Sequence, residues 1–100
     1  MAEFDHNQID DLIHSRIRLA VVAVLAGVEM AEFTFIRDQV KTTDGNLSTH
    51  LRKLESKQYI TMEKRFVGRK PVTEVSLTVL GREAFERYLE HLESMLGLSK

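Results

Sequence analysis

Apolar residues recur from Ile9 at Leu12, Ile13, Ile17, Ala20, Val21, Val24 and Leu25, the spacing of one helix face, and Gly27 is a natural stop. The pattern predicts a first helix from about residue 9. Residues 1–8 are polar and expected to be loose, leaving 9–97 as one domain. Phe33 and Phe35 flank Thr34, which can cap a short helix over FIRDQVK with Phe35, Ile36 and Val40 buried; a very short strand fits before it. After Lys57 the period shortens. Ile60, Met62 and Phe66 alternate with polar residues as in a strand, Val67 to Pro71 read as a turn, and Thr73, Val75, Leu77 and Val79 form the return strand. Thr78 can cap a last helix with apolar positions Phe85, Tyr88, Leu89, Leu92, Met95 and Leu96. The expected fold is mainly α with a small β-hairpin, an α+β arrangement in the order helix, short strand, helix, helix, strand, turn, strand, helix.

Asp44-Gly45 is a strong two-residue hairpin signal, but the flanking residues do not alternate. Leu47, Leu51 and Leu54 fall within about 40° of one another on a helix turning about 100° per residue, so this dipeptide opens a helix, with Thr43 or Asp44 as its cap. Asp44 is expected to bond backbone N–H groups. The opposite face carries Gly45, Asn46, Thr49, Arg52, Lys53 and Ser56, with Ser48 and His50 on its borders. The face is small, polar and basic, and its side chains can donate to phosphates or base edges. Two short helices a few residues apart suggest a helix-turn-helix.

Charge sharpens this picture. The net charge is −1, yet residues 1–40 carry −4, residues 41–71 carry +5 and residues 72–100 carry −2. A basic middle third suits a polyanionic partner, and such clustering matters more than the total. The chain has no cysteine and no apolar run long enough to span a membrane, so a soluble cytoplasmic protein is expected, with no thiol chemistry. No Gly-rich phosphate loop, nucleophile–base pair or carboxylate cluster points to an enzyme or a cofactor.

The segment TDGNLSTHLRKLESKQYITMEKRFVGRKPVTEVSLTVLGREAF resembles the winged helix-turn-helix of small prokaryotic transcription regulators related to the MarR and ArsR families. The likeness spans about Leu12 to Leu96. It implies that the helix from about Asp44 to Lys57 enters the major groove, that the wing, residues 64–71, reaches the minor groove or backbone, and that the first and last helices build a homodimer. The function expected is a sequence-specific double-stranded DNA-binding regulator, a repressor. Candidate base or sugar-phosphate contacts are Asn46, Ser48, Thr49 and Arg52; Lys53, Lys64, Arg65 and Lys70 suit phosphates. Arg69 suits a narrow, electronegative minor groove. The first turns of the last helix cover the domain's own core, but the helix is longer than so small a core requires, so its distal half is expected to pack on a partner subunit. The dimer contacts assigned are Phe85, Tyr88, Leu89, Leu92, Met95 and Leu96, with Leu12 and Ile13 of the first helix adding to that interface.

Competing readings attach to particular residues. His6, Asp10 and His14 would share one face of a helix and could chelate a cation, and Glu90, His91 and Glu93 form another polar cluster, but solvated polar residues explain both better and no metal site is assigned. His50 suits a structural hydrogen bond better than a DNA contact, and Tyr59 suits a half-buried position. The rival from another class is a winged helix that binds a protein instead of DNA. A small-molecule effector is compatible with the wider family, but no residue identifies one.

Overall fold

The computed structural model describes residues 5–97. A 3₁₀ turn at His6–Gln8 precedes α1 (Arg16–Ala26), β1 (Ala31–Glu32), α2 (Phe33–Val40), α3 (Asp44–Ser56), β2 (Ile60–Val67), β3 (Lys70–Leu77) and α4 (Val79–Met95). The sheet is antiparallel in the order β1-β3-β2, with Ala31 opposite Val75 and Met62 opposite Val75 on its other side. Val21, Val22 and Leu25 of α1, Ile36 of α2, and Leu47, Leu51 and Leu54 of α3 close on Ile60 and Val75 to form the core. This is the expected α+β order, a winged helix-turn-helix.

The first helix begins later than its apolar period suggested. The Asp10 carboxylate accepts from the backbone N–H of Leu12 at 2.8 Å and of Ile13 at 3.2 Å, folding residues 10–13 into a turn. Asp competes with the helix for backbone donors in this way. Ser15 is extended and α1 starts only at Arg16. Of the segment expected to be loose, residues 1–4 lie outside the described residues, and His6–Gln8 form an exposed turn capped by Asp5.

The second helix is shifted too. Its N-cap is Glu32 and not Thr34, because the Ala31–Glu32 pairing with β3 hands the chain straight to Phe33. The inward face therefore runs Phe33, Ile36, Val40, and Phe35 is 49% exposed instead of buried. Lys41 then reverses the chain at φ 59. Thr43 caps α3, its side chain accepting from the Asn46 N–H at 3.2 Å.

The hairpin turn is tighter than expected. Val67 pairs with Lys70, leaving only Gly68 and Arg69 in the turn. Gly68 takes φ +65 at the first turn position, as a type II′ hairpin requires. Lys70 and Pro71 therefore belong to β3 and not to the loop. Val79 lies in α4 and not in the return strand, because Thr78 caps that helix, accepting from the Gly81 N–H at 2.9 Å. Gly97, at φ +74, follows the end of α4.

Candidate nucleic-acid interface

The leucine stripe of α3 is buried, so its opposite face must look outward. Asn46, Thr49, Arg52 and Lys53 are all exposed on it, and Ser48 is half-buried at its border. Thr49 donates its hydroxyl to the Gly45 carbonyl at 3.0 Å, so it offers an acceptor, not a donor, to a partner. Gly45 has nothing within 4 Å of where a Cβ would stand, leaving the first turn of the helix open to close approach.

Contacts from neighbouring elements fix the orientation of this face. Asp44 does not bond backbone N–H groups as expected; it accepts from Arg37 Nη1 of α2 at 2.8 Å. Arg37 is held charged above its ordinary value by Asp44 first and Asp38 second. The acid at the head of α3 is thus paired. His50 meets Arg18 Nη1 of α1 at 2.9 Å through Nδ1, and Arg18 also donates to the Leu12 carbonyl. Because arginine cannot accept, His50 Nδ1 is the acceptor here and the ring is neutral. Burial, then Arg18, then Lys53, push its pKa below the ordinary value. His50 thus makes a structural hydrogen bond. Tyr59 is half-buried and donates to Asp10 at 2.6 Å.

Strand register sorts the basic residues of the hairpin. Ile60, Met62, Lys64 and Phe66 stand opposite Leu77, Val75, Thr73 and Pro71 on one face of the hairpin. This face looks toward α3, and Ser48, Arg52 and Glu55 line a groove of about 370 Å³ with Met62, Lys64 and Thr73. Lys64 therefore stands on the same side as the outward residues of α3. Arg65, which its sequence context suits to a phosphate, points to the other face, where its Nε meets Glu74 at 2.9 Å. Lys70 shares that second face at the far end, and Arg69 occupies the turn itself.

The residues expected at a subunit interface divide. Ile13 is completely buried and Tyr88 is 2% exposed, both in a second apolar cluster with Ala84, and Tyr88 meets His14 Nδ1 at 2.9 Å. These two belong to the chain's own core, because residues 9–14 fold back over α4. Leu12 and Phe85 are half-buried against the main core, and Leu92 against the second cluster. Leu89, Met95 and Leu96 remain 42%, 46% and 65% exposed. His6, Asp10 and His14 do not share a helix face, since Asp10 serves a turn and Tyr59 while His14 meets Tyr88. Among the described residues no group of three or more metal-ligating side chains comes together, and no helix is long and apolar enough to cross a membrane.

Arg16 and Lys41, which no sequence pattern singles out, line a second groove of about 530 Å³ with Thr43 and Asn46 at the head of α3. Arg16 lies in the acidic first third of the chain and Lys41 in a turn. Only the packing of α1 against the turn before α3 brings them together.

Known proteins share this fold. Residues 17–96 match the model of a family described as "Winged helix DNA-binding domain". An uncharacterized protein of Methanocaldococcus jannaschii is 34% identical over 89% of this chain and 94% of its own length. The solved structure of a transcriptional regulator homologue from Pyrococcus horikoshii superposes with a TM-score of 0.80 at 28% identity, covering 86% of this chain and 85% of that one. The transcriptional regulator BldR from Sulfolobus solfataricus shares the fold, with a TM-score of 0.69 at 18% identity over 83% of this chain and 58% of that one.

Proposed function

The chain belongs to the winged helix DNA-binding domain family of transcription regulators, and from that premise we propose that it is a sequence-specific double-stranded DNA-binding repressor acting as a homodimer. The observation that carries the reading is the exposed row Asn46, Thr49, Arg52 and Lys53, with Lys64 of the hairpin lining a groove beside Arg52 and Arg69 exposed in the hairpin turn. Asn46 and Arg52 read base edges in the major groove, Thr49 accepts from a base amino group there, and Ser48 bonds the sugar-phosphate backbone. Lys53, Lys64 and Lys70 neutralise phosphates, and Arg69 enters the adjacent minor groove. The exposed apolar side chains Leu89, Met95 and Leu96 on distal α4 support a two-fold dimer, which would set two recognition helices about 34 Å apart on a near-palindromic site.

The test is selection of bound genomic DNA, followed by affinity measured against salt. Lys53, Lys64 and Lys70, with Arg69 counted as a fourth cation in each subunit, give a dimer a slope of log K on log[salt] of about −7. A single enriched motif with inverted symmetry is the expected outcome. Failure to enrich any duplex would remove the DNA reading and favour a protein partner, and a monomeric mass at micromolar concentration would remove the dimer.

A further inference from the structure

Phe66 stands on the hairpin 72% exposed, well beyond Phe35 at 49%. Its place follows from the register. Along β2 the row Ile60, Met62, Lys64, Phe66 runs from the buried core, past the groove beside Ser48 and Arg52, to an exposed position next to the turn. Phe66 is opposite Pro71. With a two-residue turn the closing pair, Val67 and Lys70, exchanges the hydrogen bonds, so Phe66 and Pro71 form a non-hydrogen-bonded pair, the kind whose side chains lie closest. Pro71 there gives up no ladder bond. The end of the hairpin thus presents a phenylalanine beside a proline, with Lys64 in the next pair inward on the same face, Arg69 in the turn and Lys70 on the opposite face of the closing pair.

We infer that Phe66, braced by Pro71, is an apolar wedge that inserts between base steps of the minor groove and kinks bound DNA. The inference rests on the DNA-binding reading above. Its occupant follows from charge: an apolar tip with Lys64 on its own face, Arg69 in the adjoining turn and Lys70 just behind it matches a polyanion with apolar base faces, and not an ordinary protein surface. Phenylalanine and proline wedges in the minor groove unstack a step and bend the duplex by about 20–90°. A hairpin stiffened by a type II′ turn can hold such a wedge in place. The same contact would favour a flexible pyrimidine–purine step under each wing, at positions the recognition helix does not touch.

The test uses the full chain and a duplex recovered by selection from random sequence, labelled at both ends for energy transfer. Wild-type protein is expected to shorten the end-to-end distance. Phe66→Ala is expected to bind about tenfold more weakly and to bend the duplex far less, while Phe66→Leu keeps most of the bend. Unchanged thermal melts would show that the exposed position leaves the fold intact. Equal affinity and equal bend for Phe66→Ala and wild type would overturn the wedge while leaving DNA binding in place. Loss of dimer mass in Phe66→Ala would also overturn it, assigning the side chain to a contact between copies. If wild-type protein binds no duplex, the wedge falls together with the DNA-binding reading.

Discussion

Replacing Gly81 with alanine puts two expectations of opposite sign against each other. Gly81 lies in the first turn of α4, where alanine normally stabilises a helix by about 1 kcal/mol. The structure reverses that sign. A Cβ on Gly81 would sit 2.1 Å from the Tyr59 carbonyl oxygen and 2.9 Å from Leu77 Cδ1. The obstacle is backbone, and that backbone is fixed: the Tyr59 carbonyl accepts from the Thr78 N–H at 3.0 Å, and the Tyr59 hydroxyl donates to Asp10 at 2.6 Å. Restoring ordinary contact requires the start of α4 to move by more than about 1 Å, an overpacking strain at the upper end of the usual range, about 3 kcal/mol. The same movement breaks the Thr78 cap, for about 1 kcal/mol more. With the helix gain subtracted, Gly81→Ala is expected to destabilise by about 3 kcal/mol, which lowers Tm by about 15 °C in a domain of this size. Thermal unfolding followed by far-ultraviolet circular dichroism measures it, with both proteins at one concentration because association adds to apparent stability. An unchanged or raised Tm would refute the reasoning and show that the junction of Tyr59 with α4 is loosely packed.

Gly45→Ala should do the reverse, since nothing obstructs a Cβ there: the fold gains about 0.5–1 kcal/mol in urea titration, while binding to the selected duplex weakens because the helix can no longer approach as closely. Arg69→Ala should flatten the slope of log K on log[salt] by about 0.9 per subunit, whereas Arg65→Ala, whose side chain serves Glu74, should leave the slope nearly unchanged; equal effects would contradict the division of the hairpin into two faces. Tyr59 is pushed up to about 12 by burial first and by its hydrogen bond to Asp10 second. The folded state therefore keeps a proton that the unfolded chain loses near its ordinary pKa of about 10, so this stability is fully present below pH 10 and is lost as pH rises toward 12. Tyr59→Phe should abolish that part of the alkaline loss; an identical alkaline unfolding curve would exclude the Asp10–Tyr59 contact as its source.

How far the sequence could be read depended on where each residue's partner lies. The α3 stripe of Leu47, Leu51 and Leu54 is a local period, and the structure buries all three. The Thr43 and Thr78 caps and the Gly68 turn are local as well, each set within three residues: Thr43 is one of the two caps the sequence offers for α3, Thr78 caps α4 as expected, and Gly68 sits in a turn shorter than the expected Val67–Pro71. Errors arose where a local rule met a competing local bond or a distant partner. Asp10 folded its own turn and ended the apparent helical run, and the β1 pairing with β3 moved the face of α2 from Phe35 to Phe33. An apolar period cannot distinguish a side chain buried in its own subunit from one awaiting a partner, and for that reason Ile13 and Tyr88 were expected on the outside.

By itself, then, the sequence determined the order of elements, the outward polar face of α3 and the concentration of positive charge in the middle third. All follow from short-range periodicity, capping and composition, which are properties of neighbouring residues. Only the tertiary structure decided how the charges are used. Arg18 on α1 is joined to His50 on α3, Arg37 to Asp44, Asp10 to Tyr59 and Arg65 to Glu74, while Lys64 and Arg69 are left facing outward. Most of these pairs join different elements, and their formation depends on how those elements pack, not on any spacing along the chain.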